Sequence, residues 1–159
     1  LLKLITLERE IERRPCEVDA LFDTVRQNTR KSLADRGVTL ITHSGGGTLN
    51  CNADLIQSLL INLVDNAAKA YDTDAPDKRV FLTFSGDTIE VRDFGRGIPE
   101  QAMGRIFEPF YMADKSRSKK AGGSGLGLAL VKRIADAHDA ELTVKSGVGK
   151  GTTVRVRFQ

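Results

Sequence analysis

Tryptophan is absent from the 159 residues, and only two cysteines, two methionines, four prolines and two histidines occur. Cys16 and Cys51 stand far apart with no CxxC or Cys/His spacing, which excludes a disulfide framework or a zinc site and points to a reducing compartment. No apolar run approaches the roughly 20 residues of a membrane-spanning helix, and no signal-peptide pattern opens the chain. The chain itself is therefore expected to be soluble. A block of one charge is missing too: 24 basic and 21 acidic residues are interspersed, for a net charge of +3, which argues against a nucleic-acid partner. There is no initiator Met before "LLKLITLEREIERRP", so the expectation is a piece of a longer protein, and no internal repeat is evident.

What remains is 40% hydrophobic, enough for one domain with a real core and too short for two ordinary ones. Residues 1–14 read as the tail of a preceding helix or linker, stopped by Pro15, and residues 15–159 as the domain. Leu21, Phe22, Val25, Thr29 and Leu33 mark a helix ending near Gly37. "VTLITH" alternates as a strand, and "SGGGT" reads as a turn. From Ala53 to about Tyr71, the residues Leu55, Ile56, Leu59, Leu60, Leu63, Val64, Ala67 and Ala68 form a wide apolar stripe on a long helix. "RVFLTFSGDTIEVRDF" is a hairpin turning at Gly86-Asp87, and "AELTVKSGVGKGTTVRVRF" is another. Helices separated by antiparallel strand pairs give an α+β, two-layer sandwich, a mixed sheet with helices on one face.

Three stretches carry candidate chemistry, and each has an ordinary structural reading beside it. "GGSGLGLALVKRI" sets glycines against the start of an amphipathic helix, where unpaired N–H groups attract phosphate. It is equally a flexible loop with a glycine cap. On the long helix, Asn62 and Asn66 share a face, extended by Lys69, and offer amide oxygen to a hard cation or simply face solvent. Asp93 ends a strand just before Gly95 and Gly97, where it can accept a hydrogen bond from a ligand amine or serve only as a turn. Two decoys fail. Gly123, Gly125 and Gly127 give GxGxG with no strand before them. "GVGKGT" places Val144 where a P-loop needs glycine and Gly151 where it needs Ser or Thr.

"LLINLVDNAAKAY", "DFGRGIP", "IFEPFY", "GGSGLGLALVKRIADAH" and "GKGTTVRVRF" follow one another in the order and spacing of the N, G1, F, G2 and G3 boxes of sensor histidine kinases. From about Glu17 to Phe158 the chain closely resembles their catalytic ATP-binding domain, of the GHKL superfamily. The resemblance implies the Bergerat fold and binding of ATP with Mg²⁺. Asn66 becomes the Mg²⁺ ligand, on a catalytic face with Asn62 and Lys69. Asp93 takes the adenine amine, and Gly95 and Gly97 let the base lie close. The backbone N–H groups of Ser124, Gly125, Leu126 and Gly127 meet the phosphates. Phe107 and Phe110 anchor the hinge of a lid that begins at Tyr111, itself expected to bind the nucleotide, and whose "DKSRSKK" carries Lys115 and Arg117 toward phosphate. Thr152 supports Asp93 through its hydroxyl or a shared water.

Two departures stand out. Met112 replaces an arginine common in relatives, and "HDA" replaces His-Gly-Gly, so Asp139 must end its helix. Relatives that hydrolyse ATP usually carry glutamate as general base one turn before the metal asparagine. Asn62 stands there, and losing such a base typically costs about 10²–10⁴-fold. Histidine, a competent nucleophile when neutral, needs no such base. The resemblance thus favours phosphoryl transfer to histidine over hydrolysis or mere nucleotide sensing. Neither His43 nor His138 lies in the acceptor context, so the acceptor belongs to a histidine-bearing dimerisation domain outside this chain. Further expectations are a downstream response regulator, a homodimeric parent, a monomeric fragment and a cytoplasmic location, with any inner-membrane anchor upstream.

Overall fold

The computed structural model describes residues 10–109, 111 and 127–159. Its elements are β1 (Arg14–Glu17), α1 (Val18–Arg36), β2 (Thr39–His43), β3 (Thr48–Cys51), α2 (Ala53–Lys69), β4 (Arg79–Ser85), β5 (Thr88–Asp93), a 3₁₀ helix (Glu100–Arg105), α3 (Gly127–Ala137), β6 (Glu141–Gly147) and β7 (Gly151–Arg157).

The two long helices form where their apolar spacing predicts. Val18, Leu21, Phe22, Val25, Thr29 and Leu33 are the buried stripe of α1, which ends as Gly37 takes φ 69° and its N–H turns back to Ala34 and Leu33. Asn52 caps α2, its side-chain oxygen accepting from the Leu55 N–H at 3.1 Å. The five-stranded sheet runs β2-β4-β5-β7-β6, with β2 parallel to β4 and every other pair antiparallel. Alternate residues of β4 and β5, Val80, Leu82, Phe84, Ile89, Val91 and Asp93, point inward. The five apolar ones meet Ile56, Leu59, Leu60, Val64, Val131 and Ile134 of the helices in one core. Each such fully buried aliphatic side chain contributes roughly 1.5–3 kcal/mol. The result is the α+β sandwich with a mixed sheet and helices on one face.

Differences lie at the amino-terminal edge. Residues 1–9 fall outside the description, and residues 10–13 are not helical. They run as a strap into β1, which pairs antiparallel with β3 in a separate two-stranded sheet. Backbone hydrogen bonding to β3 and side-chain anchors replace helical bonds here. The Arg13 guanidinium donates to Ala137 O and to Asp139, both at 3.0 Å, and Asn52 Nδ2 donates to Glu12 O at 3.1 Å. The glycine turn after β2 is real, but it closes directly into β3 through Leu49 and Cys51, both buried. Asp139 adopts φ 54° and ends α3, with the Ala140 N–H returning to Ala135 O at 2.9 Å. His138 beside it is buried, and its Nε2 accepts from the Asn52 N–H at 3.1 Å, so the proton sits on Nδ1 and is donated to Ile134 O.

Candidate functional site

Asp93 is the last residue of β5 and is 4% exposed. Burial pushes its carboxyl up to about 6, against the backbone N–H groups of Gly95 and Thr152 and the Arg96 charge, which favour the ionised form. The Gly95 N–H donates to Oδ1 at 2.8 Å. A buried, hydrogen-bonded carboxylate whose titration reaches toward neutrality is a poised acceptor for a ligand N–H.

The loop after Asp93 is tied down on both sides. Toward α2, the Arg96 N–H donates to Ala70 O and its guanidinium to Lys69 O, both at 2.9 Å, satisfying carbonyls the helix leaves open. Toward the β6–β7 turn, the Ile98 N–H donates to Ser146 Oγ and the Gly149 N–H to Arg96 O, both at 2.8 Å. The glycines are dictated by this squeeze. A Cβ on Gly95 would lie 2.5 Å from Ala70 O. One on Gly97, already at φ 77°, would lie 1.9 Å from Gly147 O.

Asn62 and Asn66 do share a face of α2, and that face meets the start of α3. A Cβ on Gly127 would come within 3.3 Å of Asn62 Oδ1 and 3.7 Å of Asn66 Nδ2. The glycine that opens α3 therefore brings the helix N-terminus against both amides. Asn62 is half-buried and donates from Nδ2 to Ser58 O at 2.8 Å, which leaves its oxygen facing Gly127. Asn66 is exposed, and its amide makes no hydrogen bond among the described residues. Lys69 lies one turn further along and acts on Asp65, whose half-buried carboxyl is raised by burial and drawn back by Lys69, Ser32 and Arg36.

Thr152 pairs with Asp93 across β5 and β7, and its backbone N–H favours the ionised Asp93 carboxyl. Its hydroxyl goes instead to Ser146 Oγ at 2.7 Å, because Ser146 is its cross-strand partner on β6. Phe107 is half-buried just after the 3₁₀ helix. Tyr111 sits under the Arg105 guanidinium, 4.5 Å from the ring centroid, while Arg105 also binds Glu108. Phe110, Met112, Lys115, Arg117, Ser124, Gly125 and Leu126 lie outside the described residues, so the expected lid and all but Gly127 of the four residues expected to meet phosphate are not placed. Arg96 and Ser146 were not singled out in the sequence. A cation inside the glycine-rich "DFGRGIP" directly follows a helix C-terminus only in space, so no linear signal marks it.

Residues 51–159 match the family described as histidine kinase-, DNA gyrase B- and HSP90-like ATPases. The sensor histidine kinase YkoH of Bacillus subtilis is 40% identical over 82% of this chain, which spans 28% of that protein. The phosphate regulon sensor protein PhoR of Pseudomonas aeruginosa is 32% identical over 99% of this chain, which spans 36% of it. The chain thus covers about a third of the length of these relatives. Among solved structures, full-length ShkA in complex with AMPPNP superposes with a TM-score of 0.80 over 99% of this chain and 34% of its own, at 24% identity, a likeness of fold.

Proposed function

Because this chain belongs to the family of histidine kinase-, DNA gyrase B- and HSP90-like ATPases, we propose that it binds Mg²⁺-ATP and presents the γ-phosphate to a histidine on a separate dimerisation domain of its parent. The observation that carries the reading is the assembly around Asp93. Gly95, two residues after the buried Asp93 carboxylate, lies against Ala70 just beyond α2, and Gly127 lies against Asn62 and Asn66 of the same helix. The Asp93 carboxylate accepts a hydrogen bond from the 6-amino group of adenine. Gly95 and Gly97 keep the backbone close enough for the flat base to lie against it. The N–H groups at the start of α3 favour phosphate oxygens.

Asn66 fits a magnesium site: its amide is a neutral oxygen donor of the kind Mg²⁺ accepts alongside water and phosphate, and it is exposed on the face that meets Gly127. When bound, the ion would neutralise charge between the β- and γ-phosphates. Asn62 is tied to Ser58 O and has no ionisable oxygen, so this chain holds no base at that position to activate water. That favours transfer to an imidazole over hydrolysis.

The strap at residues 10–13 supports assigning residues 1–14 as the connection from the dimerisation domain, since it docks on both Asn52 before α2 and Asp139 after α3. A response regulator as the next phosphate acceptor and a cytoplasmic location follow from the kinase reading. No helix among the described residues is long and apolar enough to cross a membrane. The test is reconstitution. With Mg²⁺-ATP alone the chain should hydrolyse slowly and gain no acid-labile phosphate; with the parent's dimerisation domain, phosphate should appear on that domain's histidine. Robust hydrolysis alone, or a reconstituted pair that never labels histidine, would replace this reading with an ATPase or a nucleotide sensor.

A further inference from the structure

The ladder between β4 and β5 stops one step early, and a side chain occupies the gap. Ser85 and Thr88 close the two-residue turn at Gly86-Asp87, where Gly86 has φ 65°. The pair closing such a turn is a hydrogen-bonded one, and hydrogen-bonded pairs alternate along an antiparallel ladder. Thr83↔Glu90 and Phe81↔Arg92 are therefore hydrogen-bonded, and the next such pair is Arg79 with Phe94. There the Phe94 N–H should reach the Arg79 carbonyl directly. It donates instead to the Tyr71 hydroxyl at 2.8 Å, and that hydroxyl donates to Arg79 O. The strands separate immediately after Val80↔Asp93.

We propose that Tyr71 is a positioning residue: its hydroxyl, wedged between the ends of β4 and β5, holds the strands apart at Asp93 and so aims the carboxylate at the adenine amine. This rests on the reading of Asp93 as the adenine acceptor. Tyr71 is well placed for the task because it follows α2 by two residues and is 8% exposed, so the helix bearing Asn66 also sets the position of Asp93. The turn is held from its other sides by rigid contacts. The Phe94 ring packs edge-on against Phe81 with centroids 5.9 Å apart, and Arg92 stacks 4.8 Å from its centroid. Gly95 and Arg96 lie against Ala70 O. Removing only the hydroxyl leaves these contacts and the ring volume in place. Phe94 N and Arg79 O must then pair directly, pulling the end of β5 toward β4, or go unpaired.

The test compares calorimetric binding of ADP and of purine riboside 5′-diphosphate, which carries hydrogen in place of the 6-amino group. The proteins are the wild type, Tyr71→Phe, Asp93→Asn and the double variant. Tyr71→Phe should weaken ADP binding by about three- to tenfold, the scale of one hydrogen bond, with purine riboside diphosphate binding changed less than about twofold. In the Asp93→Asn background it should weaken ADP no further, because the group it aims is gone. Equal losses for both nucleotides, an unchanged ADP affinity, or a full additional loss in the double variant overturns the proposal. Exchange at the Phe94 amide gives a readout on the unmodified chain: slow exchange is expected, and exchange as fast as in an open loop overturns the bridge. A wild type that binds neither nucleotide defeats the ATP-binding reading itself, and the inference falls with it.

Discussion

Asp93→Asn is expected to weaken nucleotide binding while making the nucleotide-free protein relatively more stable at alkaline pH. Burial raises the Asp93 carboxyl from its ordinary 3.8 to about 6. The folded protein therefore holds this proton more tightly than the unfolded chain does. Its stabilising contribution is fully present below about pH 4 and is lost as pH rises through about 6. A displacement of about two pKa units at about 1.4 kcal/mol each makes that loss about 3 kcal/mol. Asparagine cannot ionise. Its amide also turns N–H toward a backbone donor that a carboxylate would accept, at a cost of about 1–3 kcal/mol, but that cost is the same at every pH. The informative quantity is consequently a difference of differences. Between about pH 3 and pH 8, the stability of the variant relative to wild type should rise by about 3 kcal/mol. Urea unfolding without nucleotide, in steps of one pH unit, measures it. Curves that stay parallel across that range would show that Asp93 is not held protonated by burial, and the case for a poised acceptor would fail. At neutral pH the same substitution should weaken ADP binding by about 1.5–3 kcal/mol, the scale of a hydrogen bond to a charged group.

Gly97→Ala should lower the unfolding temperature by about 5 °C or more, since its Cβ would meet Gly147 O at 1.9 Å and its φ is 77°; an unchanged melting curve would show that the loop yields freely. Asn66→Ala should leave stability within about 0.5 kcal/mol, because the side chain is exposed, yet abolish the gain in ATP affinity that Mg²⁺ provides. Titrations with and without the metal decide it, and a retained gain removes Asn66 from the site. His138→Phe should cost about 1–3 kcal/mol near pH 8 by leaving the Asn52 N–H without its acceptor. Burial lowers the His138 pKa, so its contribution is present above about 6.5 and lost as pH falls; the gap between variant and wild type in urea unfolding should narrow in acid, and a constant gap would contradict a buried neutral imidazole.

What could be read from the sequence follows from how far each signal extends along the chain. The stripe from Ile56 to Ala68 repeats at helical spacing for several turns, so both α2 and its buried face were legible. Asn62 and Asn66 were legible as neighbours for the same reason, since i and i+4 must share a face. That Thr152 lies across the sheet from Asp93 is a matter of register, which the sequence does not print. The hydroxyl's direction depends on Ser146 across β6 and β7, a register that only the closed sheet defines. β1 escaped notice because four residues containing a proline and two charges carry no period, and the strand exists only because Leu49 and Cys51 in β3 offer it an edge. Tyr71 is the most instructive case. In the sequence it marks only the approximate end of the long helix, and it is buried in the core two residues beyond α2. Its hydroxyl matters because two strand ends, at Arg79 and Phe94, present an unpaired carbonyl and N–H on either side of it. Neither group is visible until the hairpin's register is known, and the register is fixed at the far end by Gly86. Contacts of backbone with backbone, or of backbone with a single hydroxyl, therefore leave almost no trace in residue type, while Asp93, Gly95 and Gly97 are visible as residue types but read as an ordinary turn until the neighbouring motifs are set beside them.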